Sequence, residues 1–283
     1  MRVSVIIPTY NRAHLISNAI DSILAQTFND FELIIVDNFS SDDTESVVKS
    51  YVDRRIRYFK NNNNGLVSIN RNYGIENSRG EYIAFLDDDD SWLPKKLEKQ
   101  VSLLESNNEL GLVYSDCYVI DDNDNIRENT YCYGRKLAKG KAFNELFQSN
   151  FIPMLTVVIR KEALDKVGGF NPRYKIAEDY DLWLRIAAHY PIDFTDQPLA
   201  KFRVHSQSSY QTNTVLSYRE DLQIVDYWLN KDPELKKGSG RKIRAQKYRA
   251  VLLMAIGRIY RSKSLKSVRE LGGLLKYILS PKH

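Results

Sequence analysis

The sequence predicts an α/β protein with a mostly parallel sheet flanked by helices. Three observations predict it. Short runs of strand type, Val3–Ile7, Leu33–Val36, Ile56–Phe59 and Tyr82–Leu86, recur at a pitch of roughly 25 to 30 residues. Helical spacing of apolar residues fills the gaps, as at Leu15, Ala19, Ile20, Ile23 and Leu24. Each run ends in polar residues, and such sheets collect ligands at the C-terminal ends of their strands.

In chain order, Pro8-Thr9-Tyr10-Asn11-Arg12 breaks the first run, and Asp37 to Thr44 is rich in helix-capping residues ahead of a helix to about Tyr51. Asn61–Gly65 reads as a polar turn before a helix from about Ser68 to Asn77. The fourth run ends in Asp87-Asp88-Asp89-Asp90, and a helix is expected directly after it, with Pro94 near its start and Leu97, Val101 and Leu104 on one face. Gly111–Ser115 and Thr156–Arg160 are further strands. Asp121 to Asn125 lacks the glycine and distal glutamate of a calcium loop and reads as a hairpin or loop. Lys161–Val167 is a short helix closed by Gly168-Gly169. Asp179, Trp183 and Ile186 share a helical face, which fits either a working acid or acids favourably placed in a first turn. From about Thr214 the pattern is helical, with Leu222, Val225 and Leu229 on one face, breaks at Asp232-Pro233 and Gly238-Ser239-Gly240, and a further helix over Arg241–Tyr260.

Composition sets bounds. The chain has 283 residues, 43% apolar and 27% charged, enough for one large core with an appendage. No apolar stretch approaches the ~20 residues of a membrane span. The N-terminus enters a strand pattern without a signal-peptide core, and two cysteines, Cys117 and Cys132, fit free thiols. A cytoplasmic location is expected. Lys236 to His283 holds 14 basic residues and one acid, whereas the first 235 hold 35 acids and 27 basic residues. With Val251, Leu252, Ile256 and Leu271 interleaved, residues 236–283 are expected to lie on an anionic membrane surface at its inner face, or to pack on protein.

The four aspartates carry the chemistry. Carboxylates at one strand end repel, so water, a basic neighbour or a divalent cation must offset them, and Mg²⁺ and Mn²⁺ favour such oxygen ligands. The plain alternative is a solvated acidic turn. Neither G-x-G-x-x-G after the first strand nor G-x-x-x-x-G-K-[ST] occurs, so a bound nucleotide would lack a glycine-rich phosphate loop.

Taken in order, these motifs resemble glycosyltransferase family 2, the inverting nucleotide-sugar transferases of GT-A fold. The resemblance rests on Val3 to Arg12, on Asn64-Gly65 through Asn70-Arg71-Asn72-Tyr73-Gly74-Ile75, and on Gly80 to Asp87 with Asp87-x-Asp89 at the DxD position. It continues through Val167-Gly168-Gly169-Phe170 and Glu178 to Arg185, and ends at Arg203-Val204-His205. It implies Asp89 as ligand of Mn²⁺ or Mg²⁺, helped by Asp87 and His205, and Asp179 as general base. Pro8, Tyr10, Asp37, Arg71 and Asp88 would line the base and ribose pocket. The donor would be a UDP-sugar and the acceptor a carbohydrate or lipid-linked hydroxyl, with no nucleic acid partner. Where the family commonly has a second acid after the second strand, this chain has Asn38, whose amide oxygen accepts a uracil N3–H without charge assistance. The domains expected are a GT-A domain over 1–215, with a donor half to residue 100 and an acceptor half after it, and a basic helical region over 216–283. The rivals are a Mg²⁺-dependent phosphohydrolase using Asp87-x-Asp89 and a non-catalytic sugar-binding or scaffold protein.

Overall fold

The computed structural model describes residues 1–205, 214–240, 242–245 and 248. The chain divides into two compact units, Met1–His205 and Ser206–His283.

The first unit is built on a nine-stranded mixed sheet. Strands β1 (Val3–Thr9), β2 (Phe31–Asp37), β3 (Ile56–Lys60) and β4 (Tyr82–Phe85) run parallel in the order β3-β2-β1-β4. Helices α1 (Ile16–Leu24), α2 (Thr44–Lys49) and α3 (Val67–Glu76) form the crossovers. Both faces of β1 are covered, which explains why its run is apolar on both faces apart from Ser4, whose hydroxyl is bonded to Glu32. Val3, Val5 and Ile7 join a core with Ile16, Ile20 and Ile23 of α1. Ile6 points the other way, against Gly74 of α3. A Cβ on Gly74 would stand 2.5 Å from Ile6 Cγ2, so only glycine lets helix and strand approach this closely.

Beyond β4 the pattern departs from the simple parallel expectation. Strand β5 (Ser91–Trp92) comes between the aspartates and helix α4 (Lys96–Ser106), whose Leu97, Val101 and Leu104 are buried as expected. Strands β6 (Leu112–Ile120) and β7 (Ile126–Thr130) form a hairpin around Asp121–Asn125. Helix α5 (Phe143–Gln148), strand β8 (Val158–Arg160), helix α6 (Lys161–Val167), helix α7 (Glu178–Ala187) and strand β9 (Ile192–Arg203) complete the unit. Strand β8 joins the halves of the sheet, antiparallel to both β4 and β6. Strand β9 runs parallel to β6 over a long ladder and antiparallel to β5. By paired residues the sheet is mostly parallel. The twelve-residue β9 escaped the sequence reading because Asp193, Asp196, Gln197 and Pro198 interrupt any alternation; pairing on both sides makes it a strand.

In the second unit, helix α8 (Thr214–Lys231) buries Leu222, Val225 and Leu229 as the spacing predicts. Asp232 caps the short turn Pro233–Leu235 through its side chain. Of the expected Arg241–Tyr260 helix, only 242–245 and 248 are described; Val251, Leu252, Ile256, Leu271 and the rest of the basic tail lie outside the described residues. Among the described residues no helix is long and apolar enough to cross a membrane.

Candidate active site

The C-terminal ends of β1, β2 and β4 face one crevice, as parallel pairing requires. The loop after β1 is tied to the loop after β2 by Asn38 N–H to Thr9 O at 2.9 Å and Asn11 N–H to Ser40 Oγ at 2.8 Å. Tyr10 is 54% exposed on the first of these loops, and Phe39, which the sequence reading passed over, is 57% exposed on the second. Pro8 is buried within β1.

Asp37 is fully buried. Its Oδ1 accepts from Ser40 N–H at 2.9 Å and Ser40 Oγ–H at 2.6 Å, and its Oδ2 accepts from the Tyr58 hydroxyl. Burial, and then that bond to Asp37, push the Tyr58 phenol far above its ordinary range. Asp37 therefore holds the β2 loop in shape. Asn38 Oδ1 accepts Asn63 N–H at 2.9 Å, which brings the Asn61–Gly65 turn to the same crevice.

Each of the four aspartates after β4 has a different partner. Asp87 Oδ1 accepts from Arg71 Nη2 at 2.7 Å. Asp88 Oδ1 stands 3.6 Å from Arg12 Nε. Asp89 Oδ2 lies 3.0 Å from His205 Nε2, bringing together the segments that follow β4 and β9. Asp90 Oδ1 accepts the backbone N–H of Arg203 at 2.8 Å. The Arg203 guanidinium donates to Asp89 O at 2.9 Å and Asp121 O at 2.8 Å, and it also bonds Asp124, so the β6–β7 turn braces the acidic loop. Burial, then the Asp89 charge, push the Asp88 carboxyl up to about 7 and raise Asp90 well above the carboxylate range.

Arg71, expected beside base and ribose, is buried and bridges the two halves of the unit. Its second branch, Nη1, donates to Glu178 Oε1 at 2.6 Å, so one guanidinium sits between Asp87 and Glu178. The Phe170 ring lies 5.5 Å from it and packs edge-on against Phe85. Burial raises the Glu178 carboxyl although Arg71 opposes the shift. The residue beside the expected base is thus a buried strut that sequence reading did not separate from its neighbours.

Asp179, in the first turn of α7, is half-buried. Its Oδ1 accepts Tyr180 N–H at 2.6 Å and its Oδ2 accepts Asn150 Nδ2–H at 3.3 Å. Phe170 and Gly169 fix the approach to this helix. Asn72 of α3 exchanges two 2.8 Å bonds with the Phe170 backbone, and a Cβ on Gly169 would stand 2.4 Å from Asn72 Oδ1. Arg185 then clips Gly169 O to Asp181.

Among the described residues no cluster of three or more His, Cys, Asp or Glu is arranged to hold a metal. The pair Asp89 and His205 supplies one carboxylate and one imidazole. That donor set fits a hard divalent ion that keeps positions for water or phosphate oxygens. Asp87 is turned toward Arg71 by at least one of its oxygens.

Known proteins resemble this architecture. The family profile described as Glycosyl transferase family 2 matches residues 4–168. An uncharacterized glycosyltransferase of Rickettsia typhi is 36% identical over 79% of this chain and 70% of its own length. The Escherichia coli UDP-Glc:alpha-D-GlcNAc-diphosphoundecaprenol beta-1,3-glucosyltransferase WfgD is 35% identical over 79% of this chain and 85% of its own. Residues 1–349 of S. aureus TarS, in complex with UDP-GlcNAc, superimpose with a TM-score of 0.74 at 18% identity, covering 98% of this chain and 80% of that one. The Pyrobaculum calidifontis mannosyltransferase PcManGT, with GDP-Man and Mn²⁺, gives 0.63 at 19% identity, over 99% and 81%. These two share the fold, which is GT-A. With the strand-end crevice, the acidic loop and the matched profile in place, the chain belongs to glycosyl transferase family 2.

Proposed function

We propose that this glycosyltransferase is inverting and metal-assisted, and that it moves a sugar from a UDP-sugar to a hydroxyl acceptor in the synthesis of cell-surface polysaccharide or glycolipid. The observation that carries the proposal is the meeting of Asp89 and His205 at 3.0 Å, 116 residues apart in sequence, at the strand ends where a nucleotide would lie.

Asp89 and His205 would hold Mn²⁺ or Mg²⁺. When bound, the ion supplies positive charge against the diphosphate that leaves. Tyr10, exposed over the crevice mouth, offers a face for the base. Asn38 keeps a second lone pair on the amide oxygen that already accepts Asn63 N–H, and can accept a uracil N–H there. Asp179 takes the acceptor proton as the hydroxyl oxygen attacks the anomeric carbon opposite the leaving group, and Asn150 orients its carboxylate. One displacement inverts that carbon. The printed substrates of WfgD, a UDP-sugar and a lipid-linked acceptor, support the same reading, as does Mn²⁺ beside PcManGT.

The test is turnover of UDP-sugars with Mn²⁺ and a hydroxyl acceptor, followed by NMR of the product. A glycoside of inverted anomeric configuration is expected. Retention would reject the single displacement, and release of free phosphate without an acceptor would favour the phosphohydrolase.

A further inference from the structure

Strand β6 carries one charged residue, Asp116, and it is the first residue of the strand that is not buried. Register fixes its height in the sheet. Val158 of β8 pairs with Ala84 of β4 on one side and with Val113 of β6 on the other. Both partners run antiparallel to β8, so β4 and β6 point the same way. Asp116 lies three residues past Val113, as Asp87 lies three past Ala84, so it stands at the level where the acidic loop begins. Two strand spacings, about 10 Å, separate β4 from β6.

The ladder opens at this residue. Ser115 pairs with Thr195 of β9 and Cys117 with Ala200, so Asp116 alone faces Asp196 to Leu199. A bulge of this kind re-aims a side chain. Alternation puts Asp116 on the face of Tyr114, whose ring packs on Phe151. There the carboxylate is held by one oxygen. Its Oδ1 accepts the N–H of Cys117 at 2.7 Å and that of Cys132 at 2.9 Å. Among the described residues no N–H or O–H donates to Oδ2. The Cys132 thiol, pushed up to about 12 by burial and then by the Asp116 charge, stays protonated and donates to Phe151 O at 3.4 Å. The residue before Phe151 is Asn150, whose Nδ2 donates to Asp179 Oδ2 at 3.3 Å. Asp116 is thus level with the acidic loop and tied to the residue that orients the proposed base.

The sugar being transferred must lie between those two regions. Its anomeric carbon bears the diphosphate on one side and meets the acceptor oxygen on the other. A carboxylate with one oxygen preset and the other open suits a sugar hydroxyl, which donates to it in a charge-assisted bond. We infer that Asp116 reads the transferred sugar: its Oδ2 accepts a hydroxyl of the hexose in the UDP-sugar and selects among sugars that place that hydroxyl differently. This rests on the reading of Asp89 and Asp179 as metal ligand and base.

Calorimetry on the full chain with Mn²⁺ compares UDP with UDP-glucose, UDP-galactose, UDP-xylose and UDP-N-acetylglucosamine. The wild type should favour one UDP-sugar over the others by about tenfold or more, as a site built around a hydroxyl does. Asp116→Asn keeps an oxygen for the Cys117 and Cys132 N–H groups and removes the charge. It should lose about tenfold on the favoured UDP-sugar, the worth of charge assistance, and keep its affinity for UDP and its melting temperature. Asp116→Ala, which also releases both N–H groups, should lose at least as much on the UDP-sugar and should melt at a lower temperature. An undiminished preference in Asp116→Asn would overturn the inference and leave Asp116 as a clamp on Cys132. So would equal losses on UDP and on the UDP-sugar, or a wild type without preference. Failure of the donor reading appears separately, as absent UDP binding by the wild type.

Discussion

The acidic loop after β4 and the first turn of α7 both present aspartates to the crevice, yet they are held in opposite ways. Asp87, Asp88, Asp89 and Asp90 are met by Arg71, Arg12, His205 and the Arg203 backbone, drawn from α3, the β1 loop and the end of β9. Asp179 accepts the backbone N–H of Tyr180 in its own helix and the Asn150 amide, and it is half-buried. A site for a cation and a diphosphate must hold like charges at fixed spacing against their repulsion, so it is cross-braced before any ligand arrives. The proposed base instead stands at the start of a helix, where the acceptor hydroxyl would approach it. One guanidinium, Arg71, spans the two regions.

The sharpest way to break this division is Asp179→Asn. Turnover should fall by roughly 10² to 10⁴-fold, the scale of a lost general base, while UDP affinity measured by calorimetry stays put. A parallel loss of UDP binding would mean that the regions are not separable. Asp89→Ala should act on the other side, lowering Mn²⁺-dependent nucleotide affinity and turnover by about 10² to 10³-fold. Metal-independent binding at wild-type strength would remove Asp89 from the metal site.

Arg71→Met tests the strut that joins them. Removing the guanidinium leaves Glu178 buried without its partner, which costs about 3 kcal/mol, the low end for a broken buried pair because the Asp87 side chain is one-third exposed. The sign with pH follows from Glu178, whose carboxyl burial already raises. A carboxyl raised in the folded state favours folding when protonated, below its unfolded pKa, and that advantage is lost as pH rises through the folded value. Losing Arg71 raises Glu178 further. The deficit in urea unfolding should therefore be largest near pH 8 and shrink toward pH 5; a constant deficit would assign the cost to packing instead.

The first four strands and their crossovers were legible because each is a local event: a strand-forming run, buried on both faces in β1, β2 and β4, then a polar loop, then a helical stripe. Asp89 and Asp179 stood out for similar reasons, as acids at the abrupt end of a strand and at the start of a helix. Strand β9 was not legible, because its residues lack a period and become a strand only between β6 and β5. Nor was the division of labour among neighbours. Asp87 and Asp89 look alike in sequence, as do Glu178 and Asp179, yet one of each pair is bound to Arg71 and the other faces a different partner. Sequence alone determined the first four strands with their helices and which residue types gather at their ends, because propensity and periodicity act over a few neighbours. Only the tertiary structure decided which carboxylate meets which cation, because those partners lie up to 116 residues away and are chosen by the sheet that carries them.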